Sequence, residues 1–555
     1  MKIEKTEILP DGKRRLWIRA EGGDQALPDV LVRNGIFLPM DCGGRGVCGK
    51  CRVRFLEGAE LPGPMDEQVL RPEELTQGWR LGCQCRISRD CLIEINRPAE
   101  EQIRAAGVSE QAAAAARPDE KEKGSCGQAP ASFSGDHARY AAAVDIGSTT
   151  IAMCLVDRMS GKILSQYRGL NHQRSYGADV VSRIKASMDG SGDKLQKLIC
   201  TDLARGLAAL RDQAGGLQAK EIYLAGNMAM IHLLLGADCE GLAAYPFYSD
   251  YLDGVTLQAQ SLPFLEETGY GGSRVQILPG ISPFVGADIL AGLYACGYED
   301  YIKEERDDIH LFLDLGTNAE MAAACGGRIL VDSASAGPVF EGGSISCGCA
   351  GIPGAISSVR IQGGLVRPVT IGGAKAVGLC GSGLISCVSE LLRGRLMDRT
   401  GALRPRFRNG VELVPGRLYL TQEDIRQFQQ AKAAVRAGLD TLAAEAARGC
   451  RQEPAGSCGI QTAGNAGPDG RDIYLDLAGG FGLELDVDAA VRTGLLPKLP
   501  RDRIKPRGNS CLTGLIRLIR EGDRGSLSAI RQAASEIYLS NNEYFTEHFL
   551  EEMNF

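Results

Sequence analysis

The chain has 555 residues, of which 44% are hydrophobic and 24% charged, with a formal net charge of −7. That length is too great for one core and suggests roughly three or four domains, and the acidic balance implies no broad basic surface for nucleic acid. No apolar run reaches the ~18 residues that a membrane span needs, and the opening MKIEKTEILP lacks the apolar core of a secretory signal, so a cytoplasmic protein is expected.

Nineteen cysteines then read as thiols and metal ligands, because the cytosol keeps structural disulfides rare. Near the start, KRRLWIRAEG and KCRVRFLEG alternate as strands do, and DVLVRNGIFLPMDCGG reads as a short helix leading into a loop. That loop, DCGGRGVCGKC, has the spacing Cys42-x5-Cys48-x2-Cys51 and is followed by RLGCQC with Cys83 and Cys85. Iron–sulfur clusters are held by four thiolates. A loop around one must also aim backbone N–H groups at its sulfurs, and Gly43, Gly44, Gly46 and Gly49 give the backbone that freedom. Zinc is the rival, but a zinc ribbon pairs two C-x2-C units and only one is present.

The stretch resembles a 2Fe–2S ferredoxin domain over about residues 1–97. The resemblance implies Cys42, Cys48, Cys51 and Cys83 as ligands, with RLGCQ as the fourth-ligand segment. Cys85 stands two residues on as an alternative, and Cys91 reads as a strand residue. One extra residue relative to the C-x4-C-x2-C spacing points away from the plant-type branch.

Residues 98–138 hold AAAAA and DEKEKGS and little that could form a core, so they read as a flexible linker. Residues 448–471 read as an exposed insertion loop. Between and beyond these the sequence repeats itself. AAAVDIGSTTIAMCLVD carries Asp145, Gly147, Ser148 and Thr149, and LFLDLGTNAEMAAACGG carries Asp314, Gly316, Thr317, Asn318 and Glu320. Each is an apolar strand, a turn of the form Asp-x-Gly-[Ser/Thr], and a second strand. Such a turn closes backbone N–H groups and hydroxyls on phosphate oxygens, and the aspartate holds Mg²⁺ through water. Glu320 follows the second turn and reads either as a group that positions the attacking water or Mg²⁺ or as a solvated or salt-bridged strand residue. A third element, DIYLDLAGGFGLELD, ends a buried strand at Gly479, Gly480 and Gly482, where bare backbone admits a flat adenine or ribose. The glycine turn of GLCGSGLIS reads equally as a plain helix start.

This pattern resembles the actin/Hsp70/sugar-kinase superfamily, whose fold is two duplicated α/β domains closing on MgATP. The expected fold class is thus α/β multidomain. A β-grasp 2Fe–2S domain (1–97) and a linker (98–138) precede a two-lobed ATPase (139–305 and 306–555). Strands are expected near 140–155, 163–169, 221–225 and 275–279, then near 309–314, 319–324, 328–333 and 473–478. Helices are expected in ADVVSRIKASM, LQKLICTDLARGLAALRDQ, PFVGADILAGLYAC and TQEDIRQFQQAKAAVRAGLDTLAAEA.

The fused ferredoxin, with NHQRSYGADVVSRI, LAGNMAMIHLLLG, SPFVGADILAGL and SAGPVFEGGSISCGCAGIPGAIS, makes the chain similar to the reductive activators of corrinoid proteins. That resemblance implies transfer of one electron from the cluster to cobalt(II) of an inactivated corrinoid protein in an anaerobe's methyltransferase system. ATP drives the step and a low-potential donor supplies the electron. A cluster near about −400 mV needs such help, since each ~59 mV of one-electron mismatch costs a factor of ten. Ser344, Ser346 and Ser382 are candidates for altering cobalt ligation, and Cys347 and Cys349 for a relay, against ordinary turn and core roles. Asp179 and Arg183, four apart on a helix, read as a surface pair or as part of a nucleotide or partner site. Two rival readings remain: an activator of another low-potential enzyme, and a small-molecule kinase. A homodimer is compatible with the sequence, which does not set the oligomeric state.

Overall fold

The computed structural model describes residues 1–9, 13–20, 24–40, 42–95, 139–362, 365–451, 470–479 and 485–555. The expected linker, 98–138, and most of the expected insertion, 448–471, lie outside the described residues. Among the described residues no helix is long and apolar enough to cross a membrane.

The first ninety-odd residues form a five-stranded sheet that grips a helix. The strand order is Lys2–Ile8, Arg14–Arg19, Cys91–Ile95, Arg52–Glu57, Trp79–Leu81. Alternation puts Leu16, Ile18, Val53, Phe55 and Ile93 on one face. There they share a core with Leu27, Val30 and Leu31 of the helix Leu27–Arg33. Pro28 sits in the first turn of that helix, where its missing N–H costs nothing.

Two further sheets repeat one topology. In the first lobe Tyr140–Ile146, Thr150–Asp157 and Ile163–Leu170 form an antiparallel meander. Glu221–Gly226 and then Arg274–Ile277 add in parallel on the other side of Tyr140–Ile146. In the second lobe Ile309–Leu315, Ala319–Cys325 and Arg328–Ala334 form the meander, and Ile473–Ala478 and Ile504–Gly508 add in parallel beside Ile309–Leu315. Each expected strand of both halves is present, so the echo in the sequence is an echo in the fold. The expected helices are present as Val180–Ala186, Gly192–Gln213, Ala287–Ala295 and Gln422–Arg451. The last begins at a reciprocal cap: the Asp424 N–H donates to Thr421 Oγ1 at 3.2 Å, and the Thr421 N–H donates to Asp424 Oδ2 at 2.8 Å.

The lobes are joined by one shared core. Ala141, Ala143 and Cys154 of the first sheet and Phe312, Ala322 and Ala324 of the second face the crossing helices Ala287–Ala295 and Ser510–Glu521. Small side chains on both sheets let these helices lie close. Their own contact is closer still, since a Cβ on Gly514 would fall 1.9 Å from the Ala291 carbonyl oxygen. Any side chain there would separate the helices at the place where the lobes meet.

The ferredoxin-like domain is docked on the ATPase lobes. Asp29 accepts from Lys194 Nζ at 3.1 Å on both oxygens, Phe37 packs 3.9 Å from the His172 ring, and Lys50 Nζ donates to the Ile345 carbonyl at 3.2 Å. The polar linker suggested a loosely held domain. The contacts come instead from the domain's own folded surface, which linker composition does not report.

Candidate functional site: a thiol loop docked beside a carboxylate-lined cleft

The loop 42–51 turns at Gly43, Gly44, Gly46 and Gly49, all with φ between +63° and +82°, a region that side chains disfavour. These turns bring the four expected cysteine ligands into two pairs. The Cys42 and Cys48 thiols hydrogen-bond each other, as do those of Cys51 and Cys83. Backbone N–H groups converge on the sulfurs: Cys48, Val47 and Gly46 on Cys42, Lys50 on Cys48, and Gly46 again on Cys83. For Cys42, burial alone would raise the thiol, but these N–H groups outweigh it and hold it below its ordinary value. The hydrogen bond from Cys51 brings Cys83 down to about 7, against burial and with help from Gln84.

Cys85 has the opposite chemistry. Burial pushes it up to about 12, and its thiol donates to the Leu81 carbonyl at 3.4 Å. Of the two, Cys83 is the one whose thiol pairs with another expected ligand, Cys51. Cys91 opens the strand Cys91–Ile95, as expected. Among the described residues no three His, Cys, Asp or Glu side chains gather as a single ion would require. Two thiol pairs under a canopy of N–H donors suit a binuclear cluster with two thiolates on each iron.

The second part of the site lies where the lobes meet. The first turn is held from behind. Asn171 Nδ2 donates to the Gly147 carbonyl at 3.0 Å, and Arg183 Nη2 donates to the Ser148 carbonyl at 2.5 Å. Arg183 is wholly buried and also donates to the Gly177 carbonyl at 2.9 Å, while Asp179 caps the helix by accepting from the Ser182 N–H at 2.7 Å. The two are not a surface pair. Arg183 ties the first turn to the segment Tyr176–Ala178. In the second turn the Gly316 N–H donates to the Asn318 carbonyl at 3.0 Å, and Glu320 stands directly across the hairpin from Asp314.

Asp145, Asp314 and Glu320 come together here, with two residues that the sequence reading did not single out. Asp288 lies in the first turn of the helix Ala287–Ala295, inside the expected SPFVGADILAGL phrase. Asn509, the N-cap of Ser510–Glu521, donates to Asp145 Oδ2 at 2.6 Å. Burial in the cleft raises every carboxyl of the group, and repulsion from neighbouring carboxylates adds to it at Asp288, Asp314 and Glu320. Asp288 reaches about 7 and Asp314 about 8, and Asp145 and Glu320 are also raised. Gly479 closes the edge of the cleft at φ +93°, where a Cβ would sit 2.9 Å from Asp314 Oδ1. Gly480 and Gly482 lie outside the described residues. Grouped carboxylates are the donor type that a hydrated Mg²⁺ uses, since it keeps several waters and takes one or two carboxylates plus phosphate.

This has a consequence for stability. Carboxyls whose folded values exceed the unfolded ~4 hold protons that the unfolded chain has released, so stability falls as pH rises from about 4 toward 8. The nucleotide-free protein should melt roughly 2–4 °C lower at pH 8.5 than at pH 6.5, and Asp314→Asn should flatten that slope. A thermal melt across pH that is equally steep in the variant would contradict the assignment.

Ser344 takes a left-handed backbone, φ +55°, in the loop between Gly342 and Gly348. Ser346 is held by Asp424 through its N–H and its hydroxyl, at 2.6 and 2.7 Å. Ser382 is buried within the first turn of the helix Gly381–Arg393. Burial pushes the Cys347 and Cys349 thiols up to about 12. His172, His232 and His310 are buried against Asp202, Ser249 and Asp308 respectively.

The thiol loop and the cleft adjoin. A Cβ on Gly43 would lie 3.2 Å from the Tyr176 carbonyl and 3.8 Å from Ser182 Cβ, beside the segment that Arg183 ties to the first turn. Lys50, between Cys48 and Cys51, rests on Ile345 of the second lobe. The loop thus touches both lobes.

Comparison with known proteins agrees with this arrangement. Residues 10–88 match the 2Fe-2S iron-sulfur cluster binding domain, residues 140–301 the RACo middle region, and residues 308–453 and 460–555 the C-terminal domain of RACo, the ASKHA domain. The chain is 29% identical over 444 residues to the corrinoid activation enzyme RamQ of Eubacterium limosum, spanning 74% of this chain and 69% of that one. It is 24% identical over 450 residues to the Co(II) methylated amine-specific corrinoid protein reductase of Methanosarcina barkeri, spanning 75% and 77%. The solved structure of a reductive activator for corrinoid, iron-sulfur protein superposes with a TM-score of 0.64 at 26% identity, covering 98% of this chain and 97% of that one. The chain carries a 2Fe–2S ferredoxin domain, the RACo middle region and the RACo ASKHA domain in one polypeptide, and is homologous to these corrinoid activators.

Proposed function

We propose that this protein uses ATP to return a corrinoid protein from cobalt(II) to cobalt(I), and so restores a methyltransferase system. The observation that carries the reading is the seat of the thiol loop, with Gly43 against the first lobe and Lys50 against the second. A domain resting on both lobes is sensitive to their closure, and closure on nucleotide is how ATP binds two states unequally.

In this reading Cys42, Cys48, Cys51 and Cys83 hold a 2Fe–2S cluster, which supplies one low-potential electron at a time. The N–H groups of Gly46, Val47, Cys48 and Lys50 stabilise the added negative charge at the sulfurs. The turns at Gly147–Thr149 and Gly316–Asn318 take the phosphates of ATP, and Gly479, Gly480 and Gly482 border the nucleoside. Asp145, Asp288 and Asp314 bind the water shell of Mg²⁺, and Glu320 orients the attacking water. An external low-potential donor reloads the cluster. The reading is compatible with a homodimer.

Names of the relatives support cobalt as the acceptor, and the docked ferredoxin has no place in a small-molecule kinase. Coupling predicts that a corrinoid protein in the cobalt(II) state speeds ATP hydrolysis by this chain, measured as phosphate release. A rate unchanged by the partner over a full titration would contradict the proposal.

A further inference from the structure

The two phosphate turns are already bridged by a side chain. Glu341 Oε2 accepts from Thr149 Oγ1 of the first turn at 2.9 Å and from Thr317 Oγ1 of the second at 2.6 Å. A single carboxylate oxygen therefore sits between the hydroxyls that the reading above gives to ATP. Thr149 belongs to one lobe, and Thr317 and Glu341 to the other, so the bridge also spans the cleft. Arg183, buried behind the first turn, is near enough for its charge to feel that carboxylate.

The position of Glu341 is fixed by its loop. It ends the short helical turn Pro338–Glu341, and Gly342 follows at φ +81°. A Cβ on Gly342 would fall 2.2 Å from the Cys349 carbonyl, and one on Gly348 would fall 2.1 Å from the Gly342 carbonyl. The loop folds tightly on itself, and the Ser346–Asp424 hydrogen bonds anchor it to the helix Gln422–Arg451. A carboxylate on such a support is placed, not loosely swept into the cleft. Hydrogen bonds to an ionised acceptor are the stronger kind, and they are lost when a competing anion takes the donors.

We infer that Glu341 is an internal stand-in for phosphate: it occupies the paired turns in the nucleotide-free protein, and the phosphates of ATP bind only by displacing it. It is a positioning residue that makes nucleotide entry compete with a lobe-to-lobe contact. The inference rests on the nucleotide site proposed above. The loop that carries Glu341 also carries Ile345, on which Lys50 of the cluster loop rests, so the displaced segment is the one under the ferredoxin.

The test is calorimetric titration of the full-length protein with a hydrolysis-resistant ATP analogue plus Mg²⁺, and separately with adenosine. Glu341→Ala is expected to bind the analogue roughly five- to tenfold more tightly than the parent, with adenosine affinity unchanged because adenosine carries no phosphate. Glu341→Gln, which keeps the shape and one neutral acceptor, should fall between and guards against a folding defect in the alanine variant. Weaker or equal binding of the analogue in both variants would overturn the inference and make Glu341 a direct ligand or a bystander. Equal tightening toward adenosine would overturn it as well, since it would reveal a general loosening of the cleft. Failure of the parent protein to bind the analogue would instead overturn the nucleotide site itself.

Discussion

Asp145→Asn and Asp314→Asn are each expected to lower ATP hydrolysis and ATP-driven cobalt reduction by at least about 100-fold, the range seen when one preorganised electrostatic group is removed from a reacting centre. Asparagine keeps the shape of the side chain and removes the charge that a hydrated Mg²⁺ uses. The fold should survive. Burial and its neighbours already raise Asp314 to about 8, so its ionised form is a cost to the empty protein that the amide does not incur. Asp145 is held by Asn509 at 2.6 Å, and an amide can keep that contact through its carbonyl oxygen. Loss of activity with an unchanged or higher melting temperature is therefore the expected signature. Near-normal hydrolysis in either variant would remove these aspartates from the nucleotide site.

Replacing single cysteines should divide the electron path from the ATPase. Cys48→Ser and Cys83→Ser should each lose most of the iron and the visible absorbance of the cluster. Cobalt reduction should be abolished in both, with basal ATP hydrolysis retained within about twofold. Cys85→Ser should keep the cluster, because the Cys85 thiol donates to the Leu81 carbonyl and lies outside the two thiol pairs. Iron content and absorbance of the three variants decide the point: loss of cluster in Cys85→Ser with retention in Cys83→Ser would reverse the assignment.

Features set by neighbours in the sequence were readable from it. Cys42, Cys48 and Cys51 and their glycines lie within ten residues, and the turn at Asp314–Asn318 follows directly from an apolar strand. The 3.6-residue and two-residue periodicities located the long helices and the meanders. What escaped was built by distant segments. Asp288, Asn509 and Glu341 carry no local mark of a site. Asp288 and Asn509 look like ordinary helix starts, and Glu341 is one acid in a glycine-rich loop. Only the duplicated fold, which abuts the ends of two parallel-sided sheets, sets them beside Asp145 and Thr149. Of the two readings open for Arg183, the surface pair with Asp179 that four-residue spacing suggests is the one that fails. The fold instead buries it to hold the Gly177 and Ser148 carbonyls. Strands Ile504–Gly508 and Ala534–Glu536 were missed because each is short and is defined by its sheet partners more than by its own pattern.

The central claim is that ATP drives electron delivery from the docked cluster to cobalt. The most direct measurement follows cobalt(I) absorbance over time, under anaerobic conditions, in a mixture of the full-length protein, a cobalt(II) corrinoid protein and a low-potential reductant. The account predicts that cobalt(I) accumulates with MgATP, stops rising when ATP is exhausted, and fails to form with the hydrolysis-resistant analogue. Formation of cobalt(I) at the same rate with no nucleotide present would contradict it.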